Sequence, residues 1–207
     1  MMLLLIALGV LAAAAAGSVV VYQRGAAARL ASVDGTARLP PKGVPGERPR
    51  PEPTLETLQQ GDVVLDGDED FVVMGTLSYR EEQDAWALHA LDGGAVQRFL
   101  EVRGRSGVVQ ASFLEPVDDA PLFGSLGQGL TYRGKALSLE ARGDARATAH
   151  GEARRAGGLL RYARFTGPGG ALLIVEQAGT ERRALFGHLA PTSTLTIYPG
   201  ELNRARS

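Results

Sequence analysis

Three aspartates, Asp66, Asp68 and Asp70, alternate within the stretch VVLDGDEDFVVMG, residues 63–75. A calcium loop draws ligands from its first, third and fifth positions, and so uses carboxylates spaced in this way. Such a loop also needs a glycine at position six and a bidentate glutamate at position twelve, with a helix on each side. Counted from Asp66, those positions hold Phe71 and Leu77, and the flanks are β-branched runs. The stretch is therefore expected to be a hairpin turn, with Asp66-Gly67 supplying the turn chemistry and Asp68, Glu69 and Asp70 solvating it.

Two further carboxylates each interrupt an apolar strand pattern: Glu101 in RFLEV and Glu176 in LIVEQ. Buried, such a glutamate would carry the raised pKa that a general acid or base requires. Turned outward, or paired with a neighbour such as Arg98 or Arg103, it would be structural, and this is the expected state. Trp86, the only tryptophan, is expected to fill the core of the first half of the body. Glu101, Glu176 and Trp86 are the candidate binding residues, and no residue is assigned a catalytic role. His89, His150 and His188 lack the spacing of metal ligands on a helix. Ser125 in FGSLGQG lacks the glycine two places before it that a nucleophile elbow needs, and the glycine order fits no phosphate or dinucleotide loop. No metal or cofactor is expected.

The chain that must position these groups has 207 residues, with 22 Lys and Arg against 23 Asp and Glu. So even a balance creates no net field for nucleic acid or an acidic substrate. Cysteine is absent, which removes disulfides, thiolate zinc sites and cysteine nucleophiles together. The 27 glycines and the few aromatic residues favour a turn-rich β protein over a helical bundle.

Residues 1–23 carry no charged side chain, whereas Arg24, Arg29, Arg38, Lys42, Arg48 and Arg50 follow. A bilayer core needs an apolar helix of about 20 residues, so residues 2–22 are expected to form a transmembrane helix. The charge bias places the body on the cytoplasmic side of an inner or plasma membrane. A cleaved signal sequence with an exported body is the alternative, although residues 1–9 lack the basic start that such a peptide uses. Residues 23–54 form a proline-rich linker, with six prolines in LPPKGVPGERPRPEP.

After one helical turn in PTLETLQQGD, everything reads as strands. DVVL, FVVMGTLSY, AWALHAL, AVQRFLEV and GVVQASFLEPV make a first β unit at 55–118. LTYRGKALSLEARG, GGLLRYARF, ALLIVEQAG, RRALFGHLA and TLTIYPG make a second at 126–200, and 201–207 is a tail. The order of turns and strands is similar in the two, which suggests an internal repeat with Glu101 equivalent to Glu176. The expected fold is mainly β: an antiparallel domain of two similar units, barrel- or sandwich-like, behind one N-terminal helix.

LQQGDVVLDGDEDFVVMGTLSY, WALHALDGG, FLEVRG, LTYRGKALSLEARGDARATA and YARFTGPGGALLIVEQAG together resemble the bacterial domain of unknown function family 4178, over about residues 55–200. The Leu-x-x-Gly-Asp-x-Val start at Leu58–Val64, the Gly75 turn followed by Trp86, the strand glutamates and the GDARA stretch at Gly143 carry the likeness best. Phe99 stands where that family often has tryptophan. The resemblance implies a β-rich body in a bacterial membrane setting, in the company of membrane-stress and polyamine-related functions, and it supplies no catalytic residues. Together these readings point away from an enzyme and toward a membrane-anchored binding or adaptor module with a protein partner and no nucleic acid. The alternatives are a hydrolase using Glu101 and Glu176 as a carboxylate pair, and a polyamine or other small-ligand binder.

Overall fold

The computed structural model describes residues 51–82, 84–93, 96–105, 107–118, 122 and 126–200. The expected transmembrane helix at 2–22, all but the end of the linker, the tail and Ser125 lie outside the described residues. Among the described residues, no helix is long and apolar enough to cross a membrane.

The body is all strand and turn. The first half holds β1 (Val63–Asp66), β2 (Glu69–Glu81), β3 (Asp84–Asp92), β4 (Arg98–Arg105) and β5 (Val108–Val117). The second holds β6 (Gly129–Tyr132), β7 (Lys135–Gly151), β8 (Gly158–Thr166), β9 (Ala171–Ala178), β10 (Glu181–Ala190) and β11 (Leu195–Tyr198). Every pairing is antiparallel, and the strand order β11-β1-β2-β3-β4-β5-β10-β9-β8-β7-β6 closes through a further β2–β7 pairing. Eight strands, β2 to β5 and β7 to β10, thus form a closed barrel, with β1, β11 and β6 as flaps on its wall. Closure removes the exposed sheet edges that an open sheet of this length would carry.

Alternation builds three cores from one wall. The barrel interior takes Leu77, Tyr79, Trp86, Leu88, Phe99, Leu114, Tyr162, Leu172, Ile174 and Leu185 among others. Residues of opposite parity make an outer cluster of Leu91, Leu100, Val102 and Phe113, roofed by Leu58 and the β1 flap. A second outer cluster of Ala163, Phe165, Leu173 and Val175 lies under Leu122, Tyr132 and Leu137. A bulge in β2 between Val73 and Gly75 lets one odd-numbered series serve two cores. Phe71 and Val73 enter the outer cluster, and Leu77 and Tyr79 the interior. Each large side chain so buried contributes about 1.5–3 kcal/mol.

The acidic stretch is the expected hairpin turn: Asp66 faces Glu69 across Gly67 and Asp68, and Gly67 has φ 61°. The expected helical turn is a 3-10 turn at Leu55–Thr57, capped by Thr54. The closing strand of the second half, β11, pairs with β1 of the first. A single barrel therefore holds both expected units, joined along β5–β10 and β2–β7.

The ladders of the two halves correspond. Arg105 faces Val108 in one hairpin as Ala178 faces Glu181 in the other. This makes Ala111 the counterpart of Ala184, and Val117 that of Ala190. The seam pairs Ala111 with Ala190 and Val117 with Ala184, so it maps onto itself. Trp86 pairs with Arg103 as Tyr162 pairs with Glu176, and Tyr79 with Trp86 as Gly143 with Tyr162. Glu176 is therefore the counterpart of Arg103. Leu88 faces Glu101 as Arg164 faces Ile174, which makes Glu101 the counterpart of Ile174. The equivalence of Glu101 with Glu176 expected from sequence is wrong by two residues, because similar strand motifs slide along each other without any change of facing.

Candidate functional site

Glu101 and Glu176 both point into the barrel and are 2% and 3% exposed. Glu101 accepts a hydrogen bond from Arg164, which also donates through Nε to Glu140 at 2.9 Å. Burial pushes the Glu101 carboxyl above the ordinary glutamate range, and the Arg164 guanidinium pulls it part of the way back. Glu176 sits in a denser net. Its Oε1 accepts from the Tyr79 hydroxyl at 2.8 Å, and its Oε2 from Arg155 Nη1 at 2.9 Å and Arg183 Nη2 at 2.6 Å. Burial, with the adjacent Glu176 charge, drives the Tyr79 hydroxyl far above its usual pKa. The two glutamates have separate arginine partners. The arginines that hydrogen-bond them come from β8, β10 and the β7–β8 loop rather than from Arg98 or Arg103, although the Arg103 charge also pulls the Glu101 carboxyl down.

Trp86 is a core filler, as expected, and part of a ring stack. It lies parallel to Tyr79 at 5.0 Å, tilts against Tyr162 at 5.1 Å, and has the Arg103 guanidinium 4.4 Å from its centroid. Arg103 also bonds Asp84, and the Tyr162 hydroxyl donates to Glu81. Burial and the Glu81 hydrogen bond push the Tyr162 hydroxyl up to about 12. Gly143 makes that contact possible, because a Glu81 carboxylate oxygen stands where its Cβ would be.

His89 is 2% exposed and faces the outer cluster, sharing a 2.8 Å hydrogen bond through Nδ1 with the Thr76 hydroxyl. Its Nε2 has no partner among the described residues. Burial lowers its pKa to about 4, against a small opposing pull from Asp62. Asp62 is itself fully buried and ties chain segments together, accepting from the Gln59 and Gly200 amides at 2.8 and 3.1 Å. It belongs to the Leu-x-x-Gly-Asp-x-Val stretch, whose role here is therefore structural. No group of three or more potential metal ligands occurs among the described residues.

The concave surfaces lie on the outside of the wall. One groove of about 580 Å³ crosses β7, β2, β3 and β4 under Leu55 and Glu56. Its floor is low because Ser78, Ala85, Ala87 and Gly104 are small, and Arg80, Arg146, Thr148 and His150 line it. A second groove of about 510 Å³ crosses β7, β8 and β9 under Leu122 and Leu126. The ladder correspondence carries the first onto the second: Ser78 onto Arg142, Arg80 onto Asp144, Ala85 onto Arg161, Ala87 onto Ala163, Gly104 onto Gln177. Sequence reasoning missed both grooves, since their linings are outward residues drawn from strands distant in the chain. Of the candidate residues, Trp86 backs the first groove and Glu176 the second.

These features define a closed antiparallel β-barrel domain with a charged, self-paired interior and grooves on its outer wall. The chain belongs to the family described as domain of unknown function (DUF4178), which matches residues 59–192. No match was found among curated proteins or among solved structures.

Proposed function

We propose that this protein is a non-catalytic binding module, tethered by residues 2–22 to a bacterial inner or plasma membrane with residues 23–54 as spacer. The barrel stands on the cytoplasmic side and engages its partner through the groove across β7, β2, β3 and β4. One observation carries the reading: this groove combines ligand-sized concavity with polar side chains that no part of the described body engages. Arg80 and Arg146 are exposed and make no ion pair among the described residues. Pockets of about 300–1,000 Å³ are the usual scale of ligand sites. Inside the barrel, by contrast, Glu101 and Glu176 are each held by arginine, which leaves a hydrolase reading without a free base. A polyamine reading finds no carboxylate cluster in this groove, where Glu56 is the one acid.

The test fills the groove without touching its charges. Ala87→Trp puts an indole on the floor from an outward, half-buried position. Full-length protein and this variant are purified from native membranes, and the co-purifying proteins and metabolites are compared quantitatively. A near-stoichiometric species lost only from the variant supports the module. Identical profiles, with the variant folded, would remove the groove as the working surface.

A further inference from the structure

We propose that the groove across β7, β2, β3 and β4 binds a phosphomonoester, its phosphate held between Arg80 and Arg146. The inference rests on the binding-module reading and names its ligand.

Arg80 and Arg146 are direct partners in the β2–β7 ladder, on the outward face of the wall. Directly opposed residues have their Cβ atoms about 4.5–5.5 Å apart, and like charges so placed repel. Neither is relieved by a carboxylate among the described residues. The next outward pair on the same two strands is Ser78 with Thr148, followed by Thr76 with His150. Two guanidinium forks, two hydroxyls and an imidazole therefore edge one concavity. Guanidinium matches phosphate oxygens two at a time, and two of them balance a phosphate that carries close to two negative charges at neutral pH.

The counterpart groove shows what the same wall looks like when no such ligand is provided for. There Asp144 takes the place of Arg80 and lies 3.4 Å from Arg161, which takes the place of Ala85. Arg142, in place of Ser78, donates to the Leu126 and Gly127 carbonyls at 2.8 and 3.2 Å. Its charged groups face each other and its own backbone. The first groove replaces the acid with a second arginine and the large arginines with Ser78 and Ala85. It thereby gains both unneutralised positive charge and space.

The volume exceeds what a phosphate alone fills, so the phosphate is one end of the ligand. The organic part lies over Ala85, Ala87 and Gly104 toward Leu55. A donor group at its far end meets Glu56, whose Oε1 is 3.5 Å from where a Cβ on Gly104 would stand. Such a monoester can be a soluble metabolite or a phosphatidate headgroup, and the experiment separates the two.

Full-length protein in neutral detergent is titrated with inorganic phosphate and with glycerol phosphate, followed by calorimetry and phosphorus NMR. In parallel, micelles doped with phosphatidate are compared with micelles of the neutral detergent alone. The expected result is saturable binding in at least one arm, weakened tenfold or more by Arg80→Gln and by Arg146→Gln. Arg161→Gln in the counterpart groove leaves it unchanged. Binding in the soluble arm alone identifies a metabolite, and binding in the micelle arm alone a headgroup. Both arginines are exposed, so the variants fold, and in phosphate-free buffer Arg80→Gln melts no lower than the parent protein because it removes a repulsion. The inference is overturned if neither arm saturates, or if binding ignores both substitutions. If binding is absent while Ala87→Trp still strips a partner, the module stands and its phosphate ligand does not.

Discussion

The Tyr79 hydroxyl, on β2 in the first half, donates a 2.8 Å hydrogen bond across the barrel interior to Glu176 Oε1, on β9 in the second half. The same carboxylate binds Arg155 and Arg183, whose side chains are 2% and 13% exposed. One buried negative charge thus serves two cations, with the exposed Glu181 a second carboxylate 3.8 Å from Arg155 Nε. Two of their nitrogens, Arg155 Nη2 and Arg183 Nη1, have no partner among the described residues.

Removing that charge should be among the costliest single changes in the body. Glu176→Gln takes from Arg183 its carboxylate partner and leaves Arg155 only the exposed Glu181, 3.8 Å from its Nε, for a loss of about 3–5 kcal/mol. Tyr79→Phe deletes the hydrogen bond to Glu176 and the 3.0 Å one accepted from Arg183 Nη2, and keeps the ring stacked on Trp86, for about 1–3 kcal/mol. Urea unfolding of the two variants measures the difference. Equal costs would mean that Arg155 and Arg183 reach water when Glu176 is lost.

His89 makes stability depend on pH. Its folded pKa of about 4 lies below the ordinary value of 6.5, so folding favours the neutral ring. The stabilisation is complete above pH 6.5 and is lost progressively as pH falls from there toward 4, where the ring charges even when folded. The full swing is up to about 3 kcal/mol, at 1.36 kcal/mol per pKa unit. His89→Gln should flatten this part of the profile, and melting temperatures at pH 7.5, 6 and 5 follow it.

Strand positions were legible because alternation is a local property: Leu77, Tyr79 and Trp86, Leu88 announce a buried face wherever they occur. Closure was not. It depends on β7, whose run EARGDARATAHG carries alanine, glycine and charge where a strand pattern wants branched and aromatic residues. Alanine suits that place physically, since Ala145 and Ala147 pack inside the barrel against Tyr162 and Trp86. The burial of Glu101 was hidden for a related reason. Its neutralising partner Arg164 is 63 residues away, and no local pattern links them.

Gly75 tests that closure. It pairs with Gly151 at one end of the β2–β7 seam, and the Glu152 amide donates to the Met74 carbonyl beside it at 3.0 Å. The backbone of Glu152 and Ala153 occupies the place of a Cβ on Gly75. Backbone cannot rotate away as a side chain can, so Gly75→Ala must open the seam or shift its register. The expected loss is at least about 2 kcal/mol. Amide exchange should accelerate first along Gly75–Arg80 and Arg146–Gly151, while the β4–β5 hairpin stays protected.

A fragment of residues 51–118 asks whether the first β unit is a domain. Cut from its partner, it exposes the edges of β2 and β5 that β7 and β10 occupy in the barrel. Glu101 loses Arg164, Tyr79 loses Glu176, and the interior faces of four strands lose the other half of their core. An unpaired interior charge alone costs several kcal/mol, a large part of the total stability of a domain this size. The fragment should therefore be expanded or aggregated, with poorly dispersed amide NMR signals. Adding residues 126–200 should restore dispersion, because both seams are pairings between the halves. A monomeric, well-dispersed fragment would instead make each unit an independent fold.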